Sequence, residues 1–278
     1  MKINLSLLKK PSLKLKASLY AYSVLSRAKA YCNSSNMDLL VAFSFVNKDF
    51  CYVLDNIDKS RDICVKLISN KKLTKDEETF VSSAKSFYFS TNQIDNNYFK
   101  IVNEYKKEII PNFEKTLKNI FTNTDVDLKV IFLYQPLVRT IKGSAFRNGI
   151  VFCVENKNIT KSSIYRLLTH ELVHCVCDNN ESYQRLYNRK ELNLPKLVES
   201  RRIFNEVFTE TIQNVITYEL GLETKLFPYY RFDGKIRDDL ACKMEDNIRD
   251  LYLKWQKSKS KDNFVDYLNE NINKIIKI

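Results

Sequence analysis

Apolar residues recur every three or four positions along most of this 278-residue chain, the period of helices that bury one face. Residues 15–32, rich in Ala, Leu and Tyr, predict a helix, and Asn36 can cap a second in which Leu39, Phe43, Val46, Phe50, Val53 and Ile57 share a face. Thr74 and Glu77 have the spacing of a capping box ahead of Phe80, Val81, Ala84, Phe87 and Tyr88. Residues 96–121 repeat the helical period through Phe99, Val102, Tyr105, Ile109, Phe113, Leu117 and Ile120, and Pro111 should kink or restart that helix.

The period then shortens. Lys129 to Tyr134 is a β-rich run, and Ile141–Arg147 and Ile150–Val154 flank Asn148-Gly149, a strong hairpin signal. A small sheet of at least three strands is expected there. Helical spacing returns after Thr160, a fitting N-cap, with Ile164, Leu167, Leu168, Leu172 and Val176, until Asp178-Asn179-Asn180 breaks it. A polar stretch follows to Asn193. Pro195 precedes a long helix, Lys196 to Leu220, with Gly221 as its C-cap, and residues 225–278 are charged and mostly helical. The expected class is α+β: mainly helical, with a small sheet whose edge strand packs before one helix and a second helix behind it. Two parts are expected, a helical region 1–94 that carries no chemical motif and a region 95–278 that holds the sheet and the later helices.

Composition sharpens this picture in three places. Glycine (4) and proline (5) are scarce, so obligatory turns are few and helices long. The net charge of +12 fits acidic partners such as nucleic acid, anionic lipid or an acidic substrate. No nucleic-acid-binding motif accompanies it, which favours a solvated Lys-rich surface. The seven cysteines are odd in number and include no Cys-x-x-Cys pair, the pattern of reduced thiols in a cytoplasmic compartment. Residues 1–22 alternate Leu with Lys without the apolar core of a signal peptide, and no run reaches the length of a membrane span.

The chemistry lies in His-Glu-Leu-Val-His, residues 170–174. On a helix, His170 and His174 project from one face and can share a zinc ion, with Glu171 beside them to activate water. The chain has only two histidines, both in the motif, and chance would produce this arrangement on the order of once in a few thousand such chains. Cys175 and Cys177 read as packing residues, because three ligands on successive turns of one helix cannot surround a tetrahedral ion.

A catalytic zinc site needs a third protein ligand, and no third histidine exists. The later helix carries Glu199, Ile203, Glu206, Glu210, Gln213 and Thr217 on one face. Glu206 as ligand leaves Glu210 one turn on to hydrogen-bond a ligand imidazole. Glu210 as ligand would leave Asn214 in that role, and Glu199 would leave Ile203, so Glu206 fits best.

His-Glu-Leu-Val-His, followed on a later helix by Asn205-Glu206-Val207-Phe208-Thr209-Glu210, resembles the gluzincins, the thermolysin-like superfamily of zinc metallopeptidases. Ser144-Ala145-Phe146-Arg147-Asn148-Gly149 resembles that family's Asn-Ala-Phe segment, whose edge strand binds extended substrate through its backbone. The three motifs stand in the family's order and span roughly residues 96–220. The resemblance implies a zincin-like domain over 95–278, zinc on His170, His174 and Glu206, Glu210 as outer partner, Glu171 as general base and substrate along Ala145. Ser144 stands where the family has Asn, and Glu210 where Asp is commoner. The family's transition-state histidine has no counterpart here, which leaves Tyr183, Tyr187, Tyr229, Tyr230 and Arg231 as candidates. The metzincin pattern is excluded, since Cys177 and Asn180 stand where it needs Gly and His.

The expected activity is zinc-dependent hydrolysis of peptide bonds, by an endopeptidase acting on peptide or protein substrates. A host-directed protease toxin, an inert zinc protein and a charge-driven nucleic-acid or membrane binder are the rival readings.

Overall fold

The computed structural model describes residues 1–9, 63, 66, 71–79, 94–134, 142–146, 149–154, 160–192, 200–227, 236–258 and 262–276. The helices expected at 15–32 and after Asn36, the apolar run from Phe80, and residues 193–199 with Pro195 and Glu199 lie outside the described residues. So do Arg147, Asn148, Tyr229, Tyr230 and Arg231.

The sheet has four strands: β1 (Lys2–Leu7), β2 (Asp125–Tyr134), β3 (Lys142–Phe146) and β4 (Gly149–Val154), in the order β1-β2-β4-β3. β1, β2 and β4 run parallel, and β3 lies antiparallel on β4 at the edge. The sheet is larger than the hairpin and single run legible in the sequence, because β1 comes from the chain's first residues and pairs Ile3 with Val126 and Leu5 with Leu128. Residues 2–7, which fall within the stretch expected to be helical, thus form a strand of this sheet. The hairpin is present, but its register differs from the expected one by a residue. Phe146 pairs with Gly149, so Gly149 opens β4 and the two-residue connection is 147–148.

Ile3 and Leu5, Val126, Leu128, Val130 and Phe132, and Ile150, Phe152 and Val154 are buried, while Asp125, Asp127 and Lys129 on alternate positions of β2 are exposed. The alternation that places them follows from the two-residue repeat of a strand. β4, flanked on both sides, is buried at successive positions Ile150, Val151 and Phe152, as a central parallel strand should be.

Against this layer pack α1 (Asn96–Glu108) and α2 (Ile110–Ile120). Pro111 stands in the first turn of α2, and the chain breaks at Ile109 as its position demands. Phe99 meets Phe132 edge-on at 5.7 Å, and Phe132 lies 5.4 Å from Phe152, so helix and sheet share an aromatic seam. Glu114 of α2 accepts the backbone N–H of Ile3 at 2.6 Å, which satisfies a donor on the β1 edge.

The central helix is α3 (Lys161–Asn179). Thr160 caps it, accepting from the Ser163 N–H at 3.1 Å. It is buried almost all round, with β3 against one side and α5 (Ser200–Glu219) against another. The polar stretch after it forms α4 (Glu181–Tyr187), capped by Asn180, whose side chain accepts from the Tyr183 N–H at 2.8 Å. A 3₁₀ turn (Lys190–Leu192) follows. α5 ends as expected at Gly221, which takes φ 67°. The Leu222 N–H reaches Thr217 O and the Gly221 N–H reaches Tyr218 O, a Schellman closure. α6 (Ile236–Ser258), α7 (Phe264–Glu270) and α8 (Ile272–Ile275) complete the chain. The Thr74–Glu77 capping box is also formed in both directions, at 2.8 and 3.3 Å. No described helix is long and apolar enough to cross a membrane.

α3 is tied to α1 by a buried bond between the Tyr105 and Thr169 hydroxyls at 2.8 Å, one residue before His170. Thr169 also donates to Tyr165 O at 2.8 Å, so Tyr105 is the donor in the first bond. Tyr105→Phe should cost about 0.5–1.5 kcal/mol, the net worth of one hydrogen bond, read as a lower denaturant midpoint at unchanged slope.

Candidate metal centre

His170 and His174 lie one turn apart on α3, and α5 runs antiparallel beside them: His170 faces Glu210 and Gln213, while His174 faces Asn205, Glu206 and Thr209. The two Nε2 atoms are 3.1 Å apart. Glu206 brings Oε2 to 3.6 Å from His170 Nε2 and Oε1 to 3.8 Å from His174 Nε2. Ion–ligand bonds of about 2.0–2.1 Å in a tetrahedron set ligand atoms about 3.3–3.4 Å apart. Each observed separation lies within about half an ångström of that edge, the two carboxylate distances being taken to different oxygens of Glu206. Among the described residues, His170, His174 and Glu206 are a group that could hold a metal ion.

The nitrogens that face away from this triangle are also engaged. His170 Nδ1 lies 3.1 Å from Gln213 Oε1 and 3.5 Å from Glu210 Oε2. His174 Nδ1 lies 3.2 Å from Thr209 Oγ1 and 3.3 Å from Asn205 Nδ2. Such outer partners fix the tautomer and orientation of a ligand ring. Glu210 stands beside a ligand imidazole, as its spacing from Glu206 implied, but Gln213 is nearer. Gln213 shares the glutamate face of the helix, so the signal is present in the sequence and only its role went unassigned. Asn205 and Thr209 flank that face, and the face pattern gives them no role.

Charge favours a cation here. Burial works against a protonated His170, yet the nearby carboxylates of Glu206 and Glu210 and the charge of Glu171 outweigh it and push its pKa up to about 9. The raised value means that, without an ion, these contacts stabilise the fold below pH 6.5 and fade as pH rises through about 9. A metal competes with that proton, so its uptake releases protons and strengthens as pH rises over the same range.

Glu171 is buried at 6% exposure and turns toward the sheet. A Cβ built on Gly143 of β3 would lie 2.5 Å from Glu171 Oε1 and 2.8 Å from its Cγ. Gly143 is needed for space, since its backbone is not in the left-handed region. No sequence signal beyond the glycine itself marked this contact. Ala145, two residues on, is half-buried on the same strand and pairs with Ile150.

Cys175 and Cys177 are fully buried packing residues, outside the ligand group. Tyr183, considered as a group acting on substrate, is 1% exposed, and its hydroxyl donates to Asn205 Oδ1 at 2.6 Å. That places it behind His174 and away from any open face, where it cannot touch a substrate. Tyr187 is half-buried and stacks on Tyr183.

No family model, curated protein or solved structure matches the chain.

The geometry of the triangle and of the Gly143 contact can each be tested. Metal analysis by mass spectrometry should find about one divalent ion per chain. His174→Ala or Glu206→Ala should abolish binding, and Glu210→Ala should weaken it about 10–100-fold. Gly143→Ala should cost about 1–3 kcal/mol by forcing the Glu171 side chain aside. In a Glu171→Ala background the same change should cost little. Equal costs in the two backgrounds, read by denaturant melts, would remove the contact as the cause.

Proposed function

We propose that the chain is a zinc-dependent peptidase of the gluzincin type. The observation that carries the reading is the His170–His174–Glu206 triangle, with the Glu171 carboxylate on the same helix turned to an antiparallel edge strand. The donor set of two imidazoles and one carboxylate suits zinc and is the three-ligand set of hydrolytic zinc sites.

Zinc held there would polarise a scissile carbonyl and acidify a coordinated water. Glu171 would serve as the proton carrier, taking a proton from water and giving it to the leaving amine. Its surroundings suit a proton carrier, since it is buried beside the ligands without belonging to their triangle. Among the described residues β3 ends the sheet, so its outer edge offers backbone donors and acceptors to an extended peptide passing Ser144 and Ala145. Backbone recognition of this kind favours extended peptides with weak sequence preference. The order of edge strand, two-histidine helix and glutamate helix supports the same reading. The basic composition fits acidic partners on the surface and adds nothing to the reaction itself.

Glu171→Gln tests it, because glutamine keeps the shape and cannot carry the proton. The variant should fold, bind zinc as the parent does and hydrolyse an unbiased peptide library at least 10²-fold more slowly. Equal rates with zinc bound would exclude Glu171 as the base. A zinc-loaded parent inert on every peptide would move the chain to the non-catalytic metal proteins.

A further inference from the structure

Tyr183 is a buried hydrogen-bonding group that the reaction above leaves unused. Its ring stacks on Phe204 at 6.3 Å and Tyr187 at 6.2 Å, and tilts against Phe208 at 4.9 Å. Its hydroxyl meets Asn205 Oδ1 at 2.6 Å, and Asn205 Nδ2 lies 3.3 Å from His174 Nδ1. The Cys177 thiol is a neighbour of the hydroxyl. A chain of polar groups thus runs from Tyr183 through Asn205 to His174, in otherwise aromatic surroundings.

We infer that Tyr183 is a positioning residue for His174, acting through the Asn205 amide to support the imidazole both with and without a metal on Nε2. This role presupposes the metal site proposed above. Donors and acceptors decide it. A ring that gives its Nε2 lone pair to an ion carries its proton on Nδ1, and that proton needs an acceptor. Thr209 Oγ1, at 3.2 Å, is one. Asn205 presents its amide nitrogen to Nδ1, which suits a ring whose proton sits on Nε2 and which holds no ion. A half-turn of the terminal amide would instead present the carbonyl to Nδ1–H and the NH₂ to Tyr183.

The hydroxyl must then change from donor to acceptor. Tyrosine can make that change, because Oη accepts from Asn205 while its own proton turns to Cys177. Phenylalanine can do neither. Burial and the neighbouring Cys177, Tyr187 and Asp178 raise the Tyr183 pKa well above its ordinary value, so the hydroxyl keeps the proton that both arrangements use. Asn205 also directly precedes Glu206, so the same turn of α5 that supplies the third ligand supports the second histidine.

The test is metal affinity, measured with zinc and with cobalt(II) by chelator competition, with the cobalt visible spectrum as a second readout. Tyr183→Phe should weaken affinity about 3–10-fold, below the 10–100-fold of a group touching the ligand directly, and should shift the cobalt bands. In an Asn205→Ala background the same change should add nothing. Asn205→Asp, whose carboxylate accepts in either orientation, should rescue the tyrosine variant to within about twofold of Asn205→Asp alone. A folded Tyr183→Phe with parental affinity and spectrum overturns the inference, as does an equal loss in both Asn205 backgrounds, which would mean that the ring acts by packing. Should Tyr183→Phe not fold, NMR of the parent decides: zinc should move both Asn205 Nδ2–H resonances, and unmoved resonances overturn the inference. A parent that binds no metal overturns both this inference and the metal reading, whereas a loaded parent with an indifferent tyrosine variant overturns this one alone.

Discussion

Two imidazole nitrogens 3.1 Å apart, with carboxylate oxygens at 3.6 and 3.8 Å, need a shared proton or an ion between them. Two lone pairs at that distance repel, and so do two N–H groups. A proton on His170, held up to about pH 9, is one solution, and a metal ion is another. The surrounding structure supports that constraint. α5 is unusually polar for a buried helix, with Thr209, Glu210, Thr211, Gln213, Asn214 and Thr217 all inside. Burying so many polar groups costs free energy unless each finds a partner, and several find theirs on the rings of α3 or on their own helix, as Thr211 and Thr217 do. A helix kept only for packing would carry leucine at those positions.

The two walls around α3 follow from helix geometry. With 3.6 residues per turn, successive side chains diverge by about 100°, whereas positions four apart differ by about 40°. His170 and His174 therefore share a face and meet α5, while Glu171 faces elsewhere and meets β3. The motif makes chemical sense only if α3 has a different neighbour on each of these sides, and in this fold it has. That requirement explains why α3 is buried on most sides, although its apolar stripe alone predicts an amphipathic helix.

What was legible in the sequence was local. The Thr160 cap, the Thr74–Glu77 box, the break at Pro111 and the Gly221 closure each depend on a few neighbouring residues, and each formed as read. The grouping of His170 and His174 with Glu206 was legible too, because helical spacing fixed two candidate ligands and the scarcity of histidine pointed to an acidic third. Long-range pairing was not legible. Lys2–Leu7 alternates apolar and polar residues, but its partner is β2, more than a hundred residues on, and nothing local signals that contact. Nor did the stretch after Asn180 announce a helix. α4 buries only Ser182, Tyr183 and Leu186, too short an apolar pattern to stand out from its polar flanks.

Gly143 shows the same limit from another side. One glycine among four carries no pattern, and its meaning comes only from what packs on it. A residue with any side chain there would meet the Glu171 side chain and force it from its place. β3 thus does two things at once: its missing side chain at Gly143 leaves room for Glu171, and it forms the edge of the described sheet. Glu171, packed against Gly143 and outside the His170–His174–Glu206 group, would on the proposed reading lie beside a bound metal without joining its ligand set. That separation is what a proton carrier beside a metal requires, since a carboxylate bound to the ion would no longer be free to take the proton.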